Sequence, residues 1–255
     1  MPWNPEVYNQ FKDIRYRPFF DLMNMITDDK LKTAVDIGCG TGEQTAILAN
    51  KFNATDFLGI DASAEMLADT AKLQLDNLRF KSKTIEDFAT EASQWDLIFS
   101  NAALQWSDNH KSVFPQLISK LNPGGQFAVQ MPFQHENVLN RILLEIATHK
   151  PFSDLLGGYS RISPVLSIDE YATILFENGL QDLNISLKVY PIIATSAKEL
   201  YDFISGSALI PYMERLDAAG QALLQAAFIE NIEQHFPKFP AIYSFKRLLM
   251  YGVKG

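Results

Sequence analysis

The stretch VDIGCGTGEQT, residues 35–45, sets three glycines two apart directly behind a short apolar run. An apolar run that ends in glycines reads as a strand entering a tight turn, and the polar residues after Gly42 open a helix. In an open α/β sheet the ligand lies at the carboxyl ends of the strands, near the topological switch point, so this turn is where a cofactor is expected. Gly38, Gly40 and Gly42 remove side chains that would block close approach to the backbone. The helix that follows offers its first amides to an anion.

The spacing separates this loop from the dinucleotide fingerprint. That fingerprint is G-x-G-x-x-G, whereas here the order is G-x-G-x-G with Asp36 two residues before Gly38. A dinucleotide would bring a doubly anionic pyrophosphate to the turn, where a shielded carboxylate opposes it by at least ~1 kcal/mol. S-adenosylmethionine carries no phosphate. Its ammonium suits the acid and its carboxylate suits the neighbouring amides. Asp61 closes a second strand at GID, 59–61, about where an acid binds ribose hydroxyls in either cofactor class. It would also serve as the N-terminal cap of a helix in DASAEML.

Outward from the loop, short apolar runs alternate with amphipathic stretches, the pattern of repeated βαβ units around a parallel sheet. Strands are expected at 33–38, 56–61, 78–82, 96–101 and 126–132, with helices at 43–52, 63–75 and 109–121. LNPGG, 121–125, ends the last helix, because Pro123 cannot continue it and the glycines allow the turn. Beyond 132 the alternation loosens: helices in HENVLNRILLEIATH and SIDEYATILFENGL, a strand near 183–193, two or three helices over 196–236, and a closing edge or antiparallel strand in YSFKRLLMYGVK. The expected architecture is α/β, a Rossmann-like seven-stranded mixed sheet with helices on both faces and a helical cap. Residues 1–30 would form an N-terminal helical lid, 31–132 the cofactor-binding core, and 133–255 the remainder of the sheet with the inserted cap for the acceptor.

Composition narrows the partners. The 255 residues suffice for one large α/β domain with an elaborated cap. A formal charge of −8, with 22 basic residues in no dense run, argues against nucleic acid. Cys39 is the single cysteine, which excludes an intramolecular disulfide and a multi-thiolate metal site and suits a reducing cytoplasm. No metal is expected. No apolar run approaches the roughly 20 residues that span a bilayer, so neither a membrane nor a leader segment is expected.

VDIGCGTG, GIDASAEML, DLIFSNAALQW and LNPGGQFAVQMP together resemble the class I S-adenosylmethionine-dependent methyltransferases. More narrowly, WNPEVYNQFKDIRYRP, SNAALQWSDNHKSVFPQL and SGSALIPYMERL are similar to trans-aconitate 2-methyltransferases. The resemblance implies that Asp36, Gly38, Gly40 and Gly42 hold the methionine end of S-adenosylmethionine, Asp61 the ribose, and Ala62 and Met66 the adenine, with Asn101 beside the cofactor and S-adenosylhomocysteine as product. The family commonly has an aspartate for the adenine amino group where this chain has Thr84; Thr84 with the Ile85 amide would serve instead, or Glu86 or Asp87 would substitute. The related malonyl-carrier-protein carboxyl methyltransferases of biotin synthesis share the SNAALQW type of motif. A carrier protein is therefore the alternative acceptor to a small carboxylic acid such as trans-aconitate, and a nonenzymatic S-adenosylmethionine-binding protein is a third reading.

Methyl transfer requires two reactants aligned and the nucleophile desolvated. A carboxylate acceptor is ionised at neutral pH, so no acid or base residue is required. What a polyanionic acid needs is positive charge and donors. Arg15 and Arg17 offer guanidinium forks to the acceptor or the methionine carboxylate, or else pair with Asp13, Asp21 or Asp28. Gln105 and Trp106 follow the fourth strand, where the methyl would emerge, and would position the acceptor; Trp106 as core packing is the alternative. His110 would contact the acceptor or pack at a helix start. Trp3, Tyr8 and Phe11 stand at a spacing compatible with one helical face, suited to a lid or to docking on the core. Tyr159, Arg161, Tyr212 and Arg215 belong to the expected cap and would set acceptor choice.

Overall fold

The computed structural model describes residues 12–27, 31–73 and 75–255. Trp3, Tyr8 and Phe11 lie outside them. The chain divides into two compact units, one holding Arg17–Pro132, Pro164–Lys188 and Arg247–Gly255, the other Phe133–Ser163 and Val189–Lys246 with the segment ending at Tyr16. The expected 133–255 segment thus contributes to both.

The first unit is built on the alternation read from sequence. Strands β1 (Thr33–Ile37), β2 (Asp56–Asp61), β3 (Leu78–Ser82), β4 (Trp95–Asn101), β5 (Leu121–Pro132), β6 (Leu180–Ala194) and β7 (Ala241–Lys254) form a seven-stranded sheet of order β3-β2-β1-β4-β5-β7-β6. β1 pairs in parallel with β2 and β4, β2 with β3, and β4 with β5, while β7 runs antiparallel to β5. The order reverses direction at β1, so the loop after β1 and the turn after β4 open at the same sheet end, the switch-point position for a ligand.

Two local readings change. β5 begins at Leu121, not at 126, because Leu121 pairs with Trp95 and Gln126 with Leu97, and the intervening residues bulge out of register. Gly124 takes φ +77 in that excursion, so the turn read from LNPGG is real but lies inside the strand. The helix expected over 63–75 is short: α3 spans Ala64–Leu67 and a 3-10 turn follows at Thr70–Lys72. The Thr70 hydroxyl donates to Leu67 O at 2.7 Å, the local side-chain bonding that competes with helix continuation.

Helices α1 (Lys12–Met23) and α2 (Glu43–Lys51) supply Phe19, Leu22, Ala46, Leu48 and Ala49 to a buried cluster with Phe57, Leu97, Phe99 and Tyr251. The Phe19 and Phe99 rings meet edge-on at 5.8 Å. Another cluster joins α5 (His110–Ile118) and α8 (Ile168–Glu177): Phe114 lies 5.8 Å from Phe127 and 5.0 Å from Tyr171. Ser167 and Glu170 close a reciprocal capping box at the start of α8 and Gly179 follows its end at φ +80, the start and stop that SIDEYATILFENGL implies.

The second unit is mainly helical, with α6 (Val138–Thr148), α7 (Phe152–Leu155), α9 (Ala197–Ser205), α10 (Ile210–Met213) and α11 (Ala218–His235). Its aromatic core includes Tyr201 with Phe228 at 6.2 Å and Phe203 with Phe245 at 5.1 Å. Among the described residues no helix is long and apolar enough to cross a membrane.

Candidate active site

The glycine loop is held in a conformation that only glycine adopts cheaply. Gly38, Gly40 and Gly42 have φ of +75, +56 and +77. Each position imposes a different demand. A Cβ on Gly38 would stand 2.1 Å from the Ala103 Cβ, and one on Gly42 2.6 Å from the Phe80 ring, but one on Gly40 would meet nothing within 4 Å. Gly38 and Gly42 therefore permit close packing beneath the loop, and Gly40 keeps its outer face open. That open face is the fit expected for a cofactor laid along the backbone.

The loop amides correct one expectation. Gly38 and Cys39 N–H donate to Ile60 O at 2.7 and 2.9 Å, Gly40 N–H to Asp61 Oδ2 at 2.9 Å, and Gly42 N–H to Cys39 O at 3.0 Å. The glycine amides are thus spent inside the protein, and a ligand carboxylate must find other donors. Asp61 ties the two loops together, because its second oxygen accepts from Ser63 N–H at 2.8 Å. The helix cap is Ser63, whose hydroxyl accepts from Met66 N–H. Asp61 remains part-exposed, and each carboxylate oxygen keeps a lone pair for a hydroxyl donor. Ala62 is exposed and Met66 half-buried beside it.

Asp36 is 3% exposed at the end of β1, and its Oδ2 accepts from the Thr45 hydroxyl at 2.6 Å. Burial, reinforced by the Asp61 charge and opposed by the Thr45 bond, pushes its carboxyl up to about 7. An acid in that state gains most from a cation. Burial also pushes the neighbouring Cys39 thiol far above its usual range, so it is no nucleophile at neutral pH.

Thr84 caps helix α4 (Ile85–Thr90), its hydroxyl accepting from Asp87 N–H at 3.0 Å. Thr84 and Ile85 are half-buried. Glu86 accepts from the Ser107 hydroxyl at 2.7 Å, which connects this helix to the segment after β4.

After β4 the chain turns sharply, with Ala102 at φ +57, a conformation uncommon for a residue with a side chain. One Gln105 amide hydrogen is taken by Ala102 O at 2.6 Å, and Gln105 is 5% exposed. Trp106 is 42% exposed; it is not the core tryptophan of the alternative reading. His110 is 1% exposed, with Nδ1 on the Tyr171 hydroxyl and Nε2 on Leu104 O at 2.9 Å. Both ring nitrogens are committed and burial holds its pKa below the usual imidazole value, so His110 packs the helix start. Asn101 Nδ2 donates to Gln44 Oε1 at 2.8 Å and Asn101 Oδ1 accepts from Gln130. Gln44, Thr45, Gln130 and Arg247 are site-end residues that the motif reading passed over. The available signal was a polar side chain inside an otherwise apolar strand, as in QFAVQMP.

The two N-terminal arginines part company. Arg15 donates to Phe203 O at 2.6 Å and lies 5.1 Å over that ring, inside the helical unit. Arg17 is exposed. Asp21 pairs with Lys188 at 2.6 Å. The helical unit also gathers the four residues expected to set acceptor choice. Arg215 stacks 3.7 Å over Tyr159, whose ring meets Tyr212 at 5.2 Å, and the Tyr212 hydroxyl accepts from Arg161 N–H at 2.9 Å. No cluster of three or more metal-ligating side chains occurs among the described residues.

A glycine loop flanked by a buried aspartate on a switch-point sheet defines a class, and comparison with known proteins agrees with it. A family profile described as a methyltransferase domain matches residues 28–171. The chain is 40% identical over 260 aligned residues to a trans-aconitate 2-methyltransferase of Deinococcus radiodurans, covering 100% of this chain and 99% of that one. A trans-aconitate 2-methyltransferase of Variovorax paradoxus is 31% identical, covering 93% and 91%. The crystal structure of the YcgJ protein of Bacillus subtilis shares the fold at TM-score 0.58 and 17% identity, covering 94% and 98%. The chain belongs to the S-adenosylmethionine-dependent methyltransferases and, within them, to the trans-aconitate 2-methyltransferase family.

Proposed function

We propose that this enzyme, acting in the cytoplasm, transfers a methyl group from S-adenosylmethionine to one carboxylate of trans-aconitate, giving a monomethyl ester and S-adenosylhomocysteine. The observation that carries the substrate is the 40% identity along the whole chain to a trans-aconitate 2-methyltransferase. The cofactor supplies an electrophilic methyl on a sulfonium sulfur. The carboxylate oxygen forms the new C–O bond as the C–S bond breaks, and the electron pair leaves with sulfur.

The protein's part is binding, alignment and exclusion of water. Asp36 receives the cofactor ammonium; Asp61 receives the ribose hydroxyls; Ala62, Met66 and the Thr84–Ile85 turn border the adenine. Gly40 lets the cofactor lie against the backbone. Trp106, beyond Asn101 at the end of β4, shields and orients the acceptor, while Gln105 fixes the turn that carries it. Arg17 offers the sheet unit's charge to a tricarboxylate, and the Arg161–Tyr212–Arg215 cluster is the helical unit's own candidate for acceptor choice. No residue moves a proton in the chemical step, because the nucleophile is already ionised.

The test is a competition between acceptors in one reaction with labelled S-adenosylmethionine. Trans-aconitate and related di- and tricarboxylic acids should take the label in preference to a malonyl-loaded carrier protein. Label on the carrier alone would replace this reading with the carrier-protein one. Binding without label on any acceptor would leave a cofactor-binding module.

A further inference from the structure

Four side chains from four separate elements form one hydrogen-bonded line at the glycine-loop end of the sheet. Arg247 Nη1 donates to Gln130 Oε1 at 2.9 Å, Gln130 Nε2 donates to Asn101 Oδ1, and Asn101 Nδ2 donates to Gln44 Oε1 at 2.8 Å. Gln130 is 0% exposed and Arg247 8%, whereas Asn101 and Gln44 are half-buried, so the line runs from the core toward solvent.

An amide can be turned over; a guanidinium cannot. Arginine has donors and no acceptor. With Arg247 at the buried end, Gln130 must turn its oxygen toward β7 and its NH2 toward β4. Asn101 must then receive with its oxygen and donate with its nitrogen, and Gln44 must receive with its oxygen. The order of all three amides follows from the one cation, and it leaves the Gln44 Nε2 hydrogens as the outward end. No described residue takes them in a hydrogen bond. This matters because Gly38, Gly40 and Gly42 have spent their amides within the fold.

We propose that Arg247 is a positioning residue that, through Gln130 and Asn101, fixes Gln44 as a donor to a ligand carboxylate. That carboxylate is either the methionyl carboxylate of the cofactor or a carboxylate of the acceptor acid. The proposal rests on the reading of this sheet end as the S-adenosylmethionine site.

Gln44→Glu and Gln130→Glu test it in the full-length enzyme. Gln44→Glu still accepts from Asn101 but presents oxygen outward in place of NH2. Gln130→Glu can still pair with Arg247, yet it cannot donate to Asn101, so Asn101 and Gln44 turn over. Both variants should keep the wild-type melting temperature and lose carboxylate affinity by at least about tenfold. Arg247→Met should weaken the same constant, and Arg247→Lys, a donor-only replacement, should restore part of it.

Calorimetric Kd values for S-adenosylhomocysteine and for 5′-methylthioadenosine, which lacks the amino-acid end, locate the carboxylate. Loss for the former alone assigns it to the cofactor. An unchanged S-adenosylhomocysteine Kd with a raised KM for trans-aconitate and unchanged kcat assigns it to the acceptor. Both constants within about twofold of wild type in Gln44→Glu and Gln130→Glu overturn the proposal. If the wild type binds S-adenosylhomocysteine but esterifies no acid, the substrate reading fails, and the two nucleoside constants alone decide this one.

Discussion

The glycine-loop end of the sheet unit and the arginine–tyrosine cluster of the helical unit are built in opposite ways. At the loop the shape is set by backbone: three positive φ values, amides turned inward, and the turn at Ala102, whose next residue Ala103 presses against Gly38. In the helical unit the shape is set by long side chains, with Arg215 stacked on Tyr159 and Tyr212 bridging to Arg161. A backbone-made site tolerates almost no added atoms but fixes its ligand groups rigidly. A side-chain-made site can be retuned residue by residue. The first arrangement suits an invariant cofactor and the second suits the choice of acceptor.

The contrast breaks most visibly at the glycines. Gly38→Ala must take φ +75 and bring its Cβ to 2.1 Å from Ala103. It should cost about 2–4 kcal/mol from strain and overpacking, read in a urea titration, and abolish S-adenosylhomocysteine binding. Gly40→Ala carries the strain without the clash and should cost only about 1 kcal/mol while still weakening the cofactor. Equal stability losses would show that the packing beneath the loop is not what distinguishes the two.

Asp36 sharpens the comparison through pH. With its carboxyl raised to about 7 by burial, the ligand-free protein binds a proton there that the unfolded chain releases near 4. Its contribution to stability therefore falls as pH rises from about 4 to about 7. Cofactor binding has the opposite sign, because the ammonium needs the ionised acid. The Kd for S-adenosylhomocysteine should tighten between about pH 6 and about pH 8, approaching tenfold per unit at the acid end. Asp36→Asn should bind weakly with no such slope, and a persisting slope would move the titration elsewhere.

In the helical unit, Arg215→Ala should raise KM for trans-aconitate about tenfold, the size of one lost charge-assisted contact, and leave the S-adenosylhomocysteine Kd unmoved. A change in the cofactor constant alone would remove the cluster from acceptor recognition. The smallest effects separate two neighbours. His110→Phe should cost about 1–3 kcal/mol of stability at unchanged kcat/KM, by removing its bonds to the Tyr171 hydroxyl and Leu104 O, which keep only Leu166 N–H and Ser107 N–H as partners. Trp106→Ala should alter stability by no more than about 0.5 kcal/mol while lowering kcat/KM. The reverse pattern would exchange their roles.

What the sequence made legible follows the same division. The loop, Asp36 and Asp61 lie within contiguous motifs, and alternating apolar runs place the first five strands, because local pattern and tertiary fold agree there. A threonine before a short acidic turn suits both an adenine contact and a helix cap, so local sequence does not separate the two roles of Thr84. Apolar spacing overextends the helix over 63–75, because it does not register Thr70 bonding back to Leu67. Local sequence leaves His110 open between ligand and packing, because the partner that settles its place, Tyr171, lies 61 residues away. The line from Arg247 to Gln44 joins residues 117, 29 and 57 apart in the chain. No local pattern can encode such pairings.

The central claim, that an already ionised acid is methylated without proton transfer, is tested most directly by the pH profile of kcat at saturating S-adenosylmethionine and trans-aconitate. Between about pH 7 and about pH 9 the expected kcat is flat, because acceptor carboxyls with pKa near 4 are fully ionised. A kcat that climbs with pH through that range would reveal a required base and contradict the mechanism.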